Sequence, residues 1–206
     1  MARASSDATA DTEPSAEQSA EKIGPGRVVL IVGPSGVGKD ALLQGAAARL
    51  SETPGFHFPK RVINRPAHAA EHNDLLTTDS AAAVAQSDAY VLSWEAHGLV
   101  YAIPSDINAH IRAGSSVVFN ASRTIVAAAR RRFANVTVVY ISAARDVRAA
   151  RLAMRGRETA SEIATRLERE VETFRAADAD HVIENEQSVE AGIEKLQTVL
   201  TATRRA

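Results

Sequence analysis

The sequence predicts an α/β fold in which a parallel five-stranded sheet is flanked by helices, with a small inserted subdomain and a lid. Continuous apolar runs at 28–32, 117–119 and 136–141 are typical of strands that are buried on both faces. These runs alternate with helical patterns, which places helices on both sides of the sheet. A glycine-rich turn joins the first run directly to the first helix. The length of 206 residues fits one domain.

The first half of the chain contains the elements around that turn. Residues 1–24 hold almost no large apolar side chain, which predicts a disordered tail ahead of one folded domain at 25–206. Residues 60–103 break the alternation of strands and helices, so we expect an inserted acceptor-binding region there. The predicted elements are a strand at 28–32, a helix at 39–50, a short extended piece at 62–63, a weak helix at 79–87 and extended pieces at 89–94 and 99–103.

Local signals define the elements after the insertion. Pro104 suits a first helical turn and Gly114 a C-terminal stop, which predicts a helix between them. Thr159 and Glu162 have the spacing of a capping box, so another helix is predicted to begin there. The other predicted elements are the strands 117–119, 136–141 and 181–183, the helices 123–133 and 145–154, and the helical stripes Ile163, Leu167, Val171, Phe174 and Val189, Ile193, Leu196, Leu200.

The composition of the chain excludes several classes of function. The net charge of −1 gives no overall field that would favour nucleic acid or a membrane as a partner. No cysteine is present, which excludes disulfides, thiolate zinc sites and cysteine nucleophiles. No apolar run approaches the roughly 18 residues that span a bilayer, and the N-terminus lacks the apolar core of a signal peptide. We expect a cytoplasmic monomer or homodimer that acts on a small molecule.

The stretch Gly33-Pro34-Ser35-Gly36-Val37-Gly38-Lys39-Asp40 is the most informative motif. Its glycines let several backbone N–H groups converge on one anion at the positive end of a helix dipole. Lys39 can then reach the outer phosphates of a nucleoside triphosphate, so the motif predicts a P-loop NTPase that binds ATP or GTP. The chain is too short for most motors and lacks an Asn-Lys-x-Asp guanine signal, which favours phosphoryl transfer to a small molecule.

Arginines at the end of the predicted helix 145–154 indicate how a phosphoryl group is held. Arg151, Arg155 and Arg157 cluster around a glycine turn, and Arg166 lies one helix later. Guanidinium forks match the oxygens of a transferring phosphoryl group. We therefore expect residues 151–166 to form a lid over the nucleotide.

No general base stands out in the sequence, and none is needed if the acceptor is itself a phosphate. A phosphate monoester loses its second proton near about pH 6 and then needs no base to attack. Arg61, Arg65 and Arg123 are the candidates for holding such an acceptor.

Asp40 departs from the usual motif, which ends in Ser or Thr. A carboxylate at the end of a neighbouring strand normally supports the metal, but here the strand 117–119 is followed by the uncharged Asn120. Since Mg²⁺ favours carboxylate oxygens, we expect Asp40 to supply the missing negative charge at the metal, directly or through water.

Several motifs together resemble a known family. The P-loop, the arginine-bearing insertion and Arg155-Gly156-Arg157 resemble the guanylate kinase superfamily. The finer similarity, over roughly 27–200, is to the ribose 1,5-bisphosphate phosphokinases of phosphonate catabolism. It is carried by Gly38-Lys39-Asp40, by Arg65-Pro66-Ala67 with Glu71-His72, by the segment from Ser93 through Trp94 and His97 to Leu99 with Tyr101 and Ile103-Pro104, and by Asn120-x-Ser122-Arg123.

This resemblance implies an activity and a set of site residues. The family transfers the γ-phosphoryl group of ATP, with Mg²⁺, to ribose 1,5-bisphosphate and makes 5-phosphoribosyl 1-diphosphate. The resemblance implies that residues 33–40 hold ATP and that the transferring group is surrounded by Lys39, Arg155, Arg157 and Arg166. It implies that the sugar bisphosphate is faced by Arg61, Arg65, Glu71, His97, Tyr101 and Arg123.

Two alternatives stay open from the sequence. A guanylate kinase is expected to carry a tyrosine near the guanine, and segment 70–78 has none. A non-catalytic kinase-like interaction module can lose the P-loop and the lid arginines, whereas this chain keeps both. Acceptor comparison separates the first alternative, and ATP binding separates the second.

Overall fold

A computed structural model of the chain describes residues 21–64, 73–75, 81–96, 98–154, 156, 159–168 and 174–202, with the backbone alone at 73–75 and 81. The predicted tail over 1–20 lies outside the described residues. So do the predicted site residues Arg65, Glu71, His97, Arg155 and Arg157.

The elements follow one another in an order that groups them around two sheets. The first half of the chain holds β1 (Ile23–Val32), α1 (Lys39–Leu50), β2 (Phe56–His57), β3 (Arg61–Ile63), β4 (Asn73–Leu75), α2 (Ala81–Ala85), β5 (Tyr90–Ala96) and β6 (Leu99–Pro104). The second half holds α3 (Ile107–Arg112), β7 (Ser116–Asn120), α4 (Val126–Arg132), β8 (Phe133–Ser142), α5 (Arg145–Met154), α6 (Ala160–Glu168), β9 (His181–Glu184) and α7 (Val189–Ala202).

The main sheet has five strands in the order β2-β7-β1-β8-β9, and every pairing in it is parallel. Its central strand β1 is fully buried from Val28 to Val32, because helices cover both faces. Ile107 and Ile111 of α3 and Ala129 of α4 pack on one face. The other face is covered by α1 and α7. The predicted five-stranded parallel sheet flanked by helices is therefore confirmed.

Helices α1 and α7 pack closely because glycines at their contact, Gly45 on α1 and Gly192 on α7, allow it. A Cβ atom on Gly45 would collide with Ile193 of α7. The contact fixes the helix that begins at the glycine-rich turn against the C-terminal helix. Leu42, Leu196 and Leu200 fill the space between them and the sheet.

A second, smaller sheet forms within the predicted insertion. Its strand order is β4-β3-β6-β5, with β3 and β4 parallel and the β3–β6 and β5–β6 pairs antiparallel. Val62, Val100 and Ala102 pack with Val84 of α2 on one face. On the opposite face, Leu92, Trp94 and Ile103 pack into the main hydrophobic core.

Some predicted boundaries were wrong. Pro104 ends β6 opposite Tyr90 rather than opening a helix, because a strand end also tolerates a residue without N–H. The helix begins three residues later, and Gly114 stops it as predicted, with φ at 83°. The predicted helix 123–133 is a 3₁₀ turn at Arg123–Ile125 followed by α4.

Other boundaries shift at the chain ends and in the insertion. Strand β1 begins at Ile23, inside the predicted tail, because Ile23 pairs with Phe133 across a bulge. Helix α2 ends at Ala85, two residues before the predicted end, and the predicted start at 79 lies outside the described residues. Val189 is exposed because it opens α7 rather than lying on its buried stripe. Among the described residues, no helix is long and apolar enough to cross a membrane.

Candidate active site

The glycine-rich turn leaves the carboxyl end of β1 and leads into α1. Gly33, Gly36 and Gly38 have φ angles of 144°, 82° and 92°, which favour glycine. A Cβ atom on Gly36 would lie 2.8 Å from the Arg148 carbonyl oxygen. No side chain caps α1 at Gly38, so the first N–H groups of the helix have neither an intrahelical acceptor nor a cap. The turn is therefore built to receive an anion.

Lys39 places its ammonium group over the turn. Its Nζ donates to the carbonyl oxygens of Gly33 at 2.8 Å and Pro34 at 2.9 Å. The ammonium consequently lies at the mouth of the anion site that the turn forms. This position suits the predicted contact of Lys39 with the outer phosphates of a nucleotide.

Two side chains that follow later strands donate hydrogen bonds to the backbone of the glycine-rich turn. Asn185 is 3% exposed and donates through Nδ2 to the Val37 carbonyl at 2.8 Å. Arg151 donates to the Asn185 carbonyl at 2.9 Å and more weakly to Val37 at 3.4 Å. Sequence reasoning missed the role of Asn185. Its position directly after the last parallel strand was the available signal, since ligand sites lie at that edge of the sheet.

Arginines of α5 and α6 reach the same turn. Arg166 donates to Ser35 Oγ at 3.3 Å, which brings one predicted catalytic residue to the loop. Arg148, which sequence reasoning also missed, donates to the Ser35 carbonyl at 3.2 Å and to the Leu167 carbonyl at 3.3 Å. Burial lowers the pKa of Arg148, and the charge of Arg123 acts the same way. Arg148 keeps its proton at neutral pH all the same, so positive charge is concentrated here.

A capping box positions the helix that carries Arg166. The Thr159 N–H donates to Glu162 Oε2 at 2.7 Å, and the Glu162 N–H donates to Thr159 Oγ1 at 3.3 Å. Both bonds of the predicted motif are therefore present. The backbone bond from Thr159, then its hydroxyl bond, lower the pKa of the exposed Glu162, which keeps the cap charged.

Asp40 lies between the loop and the second sheet. Its Oδ1 accepts from Asn120 Nδ2 at 2.6 Å and from the Arg61 guanidinium at 3.2 Å. The Asp40 side chain is 64% exposed, whereas that of Arg61 is 17% exposed. The sequence predicts that Asp40 supplies the charge that Asn120 lacks at the metal, and the two side chains are in contact. The contact with Arg61 joins a predicted acceptor residue to the nucleotide loop.

Arg61 also stacks on an aromatic pair. Its guanidinium carbon is 5.5 Å from the Tyr101 ring centroid, and the rings of Tyr101 and Trp94 are 5.4 Å apart at 7°. Strand register explains the arrangement, because Tyr101 of β6 pairs with Ile63 of β3 on one side and with Trp94 of β5 on the other. Arg61 is two residues from Ile63 and therefore shares its face. Two predicted acceptor residues, Arg61 and Tyr101, are thus in contact.

Arg123 begins the 3₁₀ turn directly after β7 and is half-buried. Its charge acts on Arg148, so it lies near the arginines of α5. The Ser122 hydroxyl accepts from the Thr124 N–H at 3.3 Å and holds the turn. Arg123 therefore sits at the carboxyl edge of the main sheet, as its predicted role requires.

The donor set fits a metal–nucleotide complex. Backbone N–H groups, Lys39 and Arg166 present positive charge around one loop, as a triphosphate needs. Asp40 offers an exposed carboxylate of the kind that Mg²⁺ prefers, and a magnesium site usually needs only one or two such groups beside the phosphates. Among the described residues, no cluster of three His, Asp or Glu could hold a metal independently.

Known proteins are similar to this chain in sequence and in fold. The chain matches the guanylate kinase family over residues 25–203. A ribose 1,5-bisphosphate phosphokinase PhnN from Bradyrhizobium diazoefficiens is 45% identical over 185 residues, 90% of this chain and 93% of that protein. A protein of the same name from Acidiphilium cryptum is 49% identical over 166 residues, 81% of this chain and 87% of that protein.

A solved structure agrees at the level of the fold. The guanylate kinase from Anaplasma phagocytophilum superposes with a TM-score of 0.61 at 16% identity, covering 88% of this chain and 87% of that one. The chain therefore belongs to the guanylate kinase family and, within it, to the family of ribose 1,5-bisphosphate phosphokinases.

Proposed function

We propose that this chain is an ATP-dependent kinase that phosphorylates ribose 1,5-bisphosphate and releases 5-phosphoribosyl 1-diphosphate and ADP. The contact between Arg61 and Asp40 supports the proposal most directly, because it brings the guanidinium of a candidate acceptor residue to the end of the glycine-rich loop. The names of relatives at 45% and 49% identity support the same substrate. Transfer between two phosphates requires this closeness of donor and acceptor sites.

The nucleotide side is formed by residues 33–40. Their backbone N–H groups bind the phosphates, and Lys39 neutralises the outermost charge. Arg166, whose side chain reaches Ser35, lies where it can bind oxygens of the transferring group. Arg155 and Arg157 are proposed to join it from the lid, on the basis of the sequence motif alone. Asp40 would hold Mg²⁺, which supplies charge neutralisation at the phosphate oxygens when bound.

The acceptor side is formed by Arg61 and Tyr101, on the two central strands of the second sheet, and by Arg123. Arg61 and Arg123 are proposed to orient the sugar phosphates, with Tyr101 beneath Arg61. The roles of Arg65, Glu71 and His97 are proposed from the family motif. An oxygen of the 1-phosphate attacks the γ-phosphorus in line, the bond to the ADP oxygen breaks, and no general base is needed because the attacking oxygen is already deprotonated.

The test is an ADP-release assay with ribose 1,5-bisphosphate, GMP and no acceptor, with the products identified by phosphorus NMR. We expect ADP and 5-phosphoribosyl 1-diphosphate in equal amounts with the sugar bisphosphate alone. Preference for GMP would establish a guanylate kinase instead. Failure of ATP to bind by calorimetry would establish the non-catalytic alternative. The cytoplasmic location, the monomeric or dimeric state and the absence of nucleic-acid or membrane partners remain predictions.

A further inference from the structure

One carboxylate oxygen serves two donors at the junction of the loop and the second sheet. Asp40 Oδ1 accepts from both Asn120 and Arg61. The Asp40 side chain is largely exposed, whereas Arg61 is enclosed between that carboxylate and the Tyr101 ring. The carboxylate is thus reachable by a ligand of the loop, and it forms an ion pair with the guanidinium.

A cation that binds this carboxylate shares its single negative charge with Arg61. Both hydrogen bonds end on Oδ1, so Oδ2 is the oxygen of Asp40 that a metal can take up. A divalent cation beside the guanidinium would also repel it, because like charges at this separation interact strongly where water is partly excluded. Ligation of a metal by Asp40 therefore weakens the hold of Asp40 on Arg61.

We propose that Asp40 is a shared counter-ion that couples the two substrate sites. When its carboxylate engages the metal of the nucleotide complex, the Arg61 guanidinium transfers to a phosphate group of the sugar acceptor. Asp40 is then a positioning residue for Arg61, and the acceptor binds more tightly after the metal–nucleotide complex than before it. This inference rests on the proposed function, since it takes a sugar phosphate as the ligand of Arg61.

The chain contains a built-in reporter for this transfer. Trp94 is the only tryptophan of the sequence. It stacks on Tyr101, whose other neighbour is the Arg61 guanidinium. Tryptophan fluorescence should therefore respond when Arg61 moves, and it measures binding without turnover.

The wild-type experiment titrates ribose 1,5-bisphosphate under three conditions: no nucleotide, a nonhydrolysable ATP analogue with EDTA, and the analogue with Mg²⁺. We expect the analogue with Mg²⁺ to tighten acceptor binding by about 5- to 150-fold, the usual range of such coupling. The analogue with EDTA should leave the affinity unchanged. A static salt bridge predicts equal affinity in all three conditions, and that result would overturn the inference, as would equal tightening with EDTA.

Two variants test whether Asp40 is the source of the coupling. Asp40→Ser removes the partner of Arg61, so we expect tighter acceptor binding without nucleotide and a coupling factor near one. Arg61→Lys should weaken acceptor binding and also abolish the coupling, because a lysine cannot form the same fork. Asp146→Asn removes an exposed carboxylate from the first turn of α5 and should keep the wild-type coupling. Wild-type coupling in Asp40→Ser overturns the inference.

The outcomes separate this inference from the proposed function. Phosphorylation of ribose 1,5-bisphosphate with a coupling factor of one refutes only the counter-ion role. Absence of both binding and phosphorylation of that acceptor refutes the proposed function, and the inference fails with it. If Asp40→Ser does not fold by circular dichroism, the EDTA comparison and Arg61→Lys still decide.

Discussion

Arg166 is the residue that connects helix α6 to the phosphate loop, through its 3.3 Å bond to Ser35 Oγ. If it binds the transferring group, Arg166→Ala should lower kcat by about 10³-fold or more and change the KM for ATP much less. Steady-state kinetics measures both. Arg131→Ala, on the exposed side of α4, is the matched control and should keep wild-type kinetics. A large rise in KM with unchanged kcat would assign Arg166 to ground-state binding instead.

Asn185 is a residue whose contribution is to shape the loop rather than to touch a ligand. In Asn185→Asp, the donor to the Val37 carbonyl is replaced by an oxygen in a site that is 3% exposed. An unsatisfied buried group costs about 1–3 kcal/mol, and more when charged. We expect urea denaturation to show at least this loss and calorimetry to show weaker ATP binding. Gln187→Glu makes the same chemical change at an exposed neighbour and should change neither quantity.

Some contacts of single residues could be predicted from the sequence, and others could not, for a physical reason. Asp40 and Asn120 follow a turn and a strand whose ends meet at one sheet edge, so their contact was predictable. Asn185 and Arg148 bind the backbone carbonyls of Val37 and Ser35. A backbone acceptor has no side-chain identity, and no pattern in the sequence indicates which polar residue reaches it.

Helix α6 is an element that depends on its cap, because none of its described residues is buried. Thr159→Ala removes a capping bond, which costs about 0.5–2 kcal/mol of helix stability. We expect faster hydrogen exchange of the α6 amides and unchanged exchange in α7. Thr165→Ala is the control, since the Thr165 hydroxyl bonds only within the helix to the Ser161 carbonyl. Equal protection of α6 in both variants would show that tertiary contacts hold it instead.

Elements that begin or end at a local sequence signal were predicted more accurately than strands that pair with distant segments. Helices α1 and α5 have the predicted bounds, 39–50 and 145–154, because a glycine turn and a strand end precede them. Three strands of the second sheet were predicted only as separate extended pieces, and the fourth, at 73–75, was expected to be loop. The parallel pair of this sheet joins Arg61 to Asn73, and such pairing is decided by contacts between segments rather than by either segment alone.

The candidate functional residues of the main sheet lie at one of its edges because that sheet is parallel. The loop follows β1, Asn120 ends β7, α5 with Arg148 follows β8, and Asn185 follows β9. All these residues therefore meet at the carboxyl edge of the strands, where ligands of open α/β sheets bind. The second sheet touches this edge through Arg61, so the donor and acceptor sites are parts of one folded unit.

A stacked histidine pair at the edge strand β2 of the main sheet affects the stability of the folded chain. His57 of the two-residue edge strand β2 lies 3.7 Å, centroid to centroid, from His110 of α3, with the rings at 12°. Burial, then the charge of His110, lower the pKa of His57 from its ordinary 6.5, while Asp106 opposes them. The stack therefore favours a neutral His57 and joins α3 to the sheet edge.

The lowered pKa determines the sign of a pH dependence. Above pH 6.5 His57 is neutral in both the folded and the unfolded chain, so it adds no difference between them. As the pH falls below that value, the unfolded chain takes up the proton first and is stabilised relative to the folded one. We expect urea denaturation to give a lower free energy of unfolding at about pH 5.5 than at about pH 7.5.

His57→Phe keeps a ring for stacking but cannot take up the proton, so its unfolding free energy should change less over this range. His110→Phe should give an intermediate change, since it removes one cause of the shift and leaves the burial. A wild-type stability that is flat or rises toward pH 5.5 would mean that Asp106 dominates the pair, and that His57 stabilises the folded edge strand as a cation.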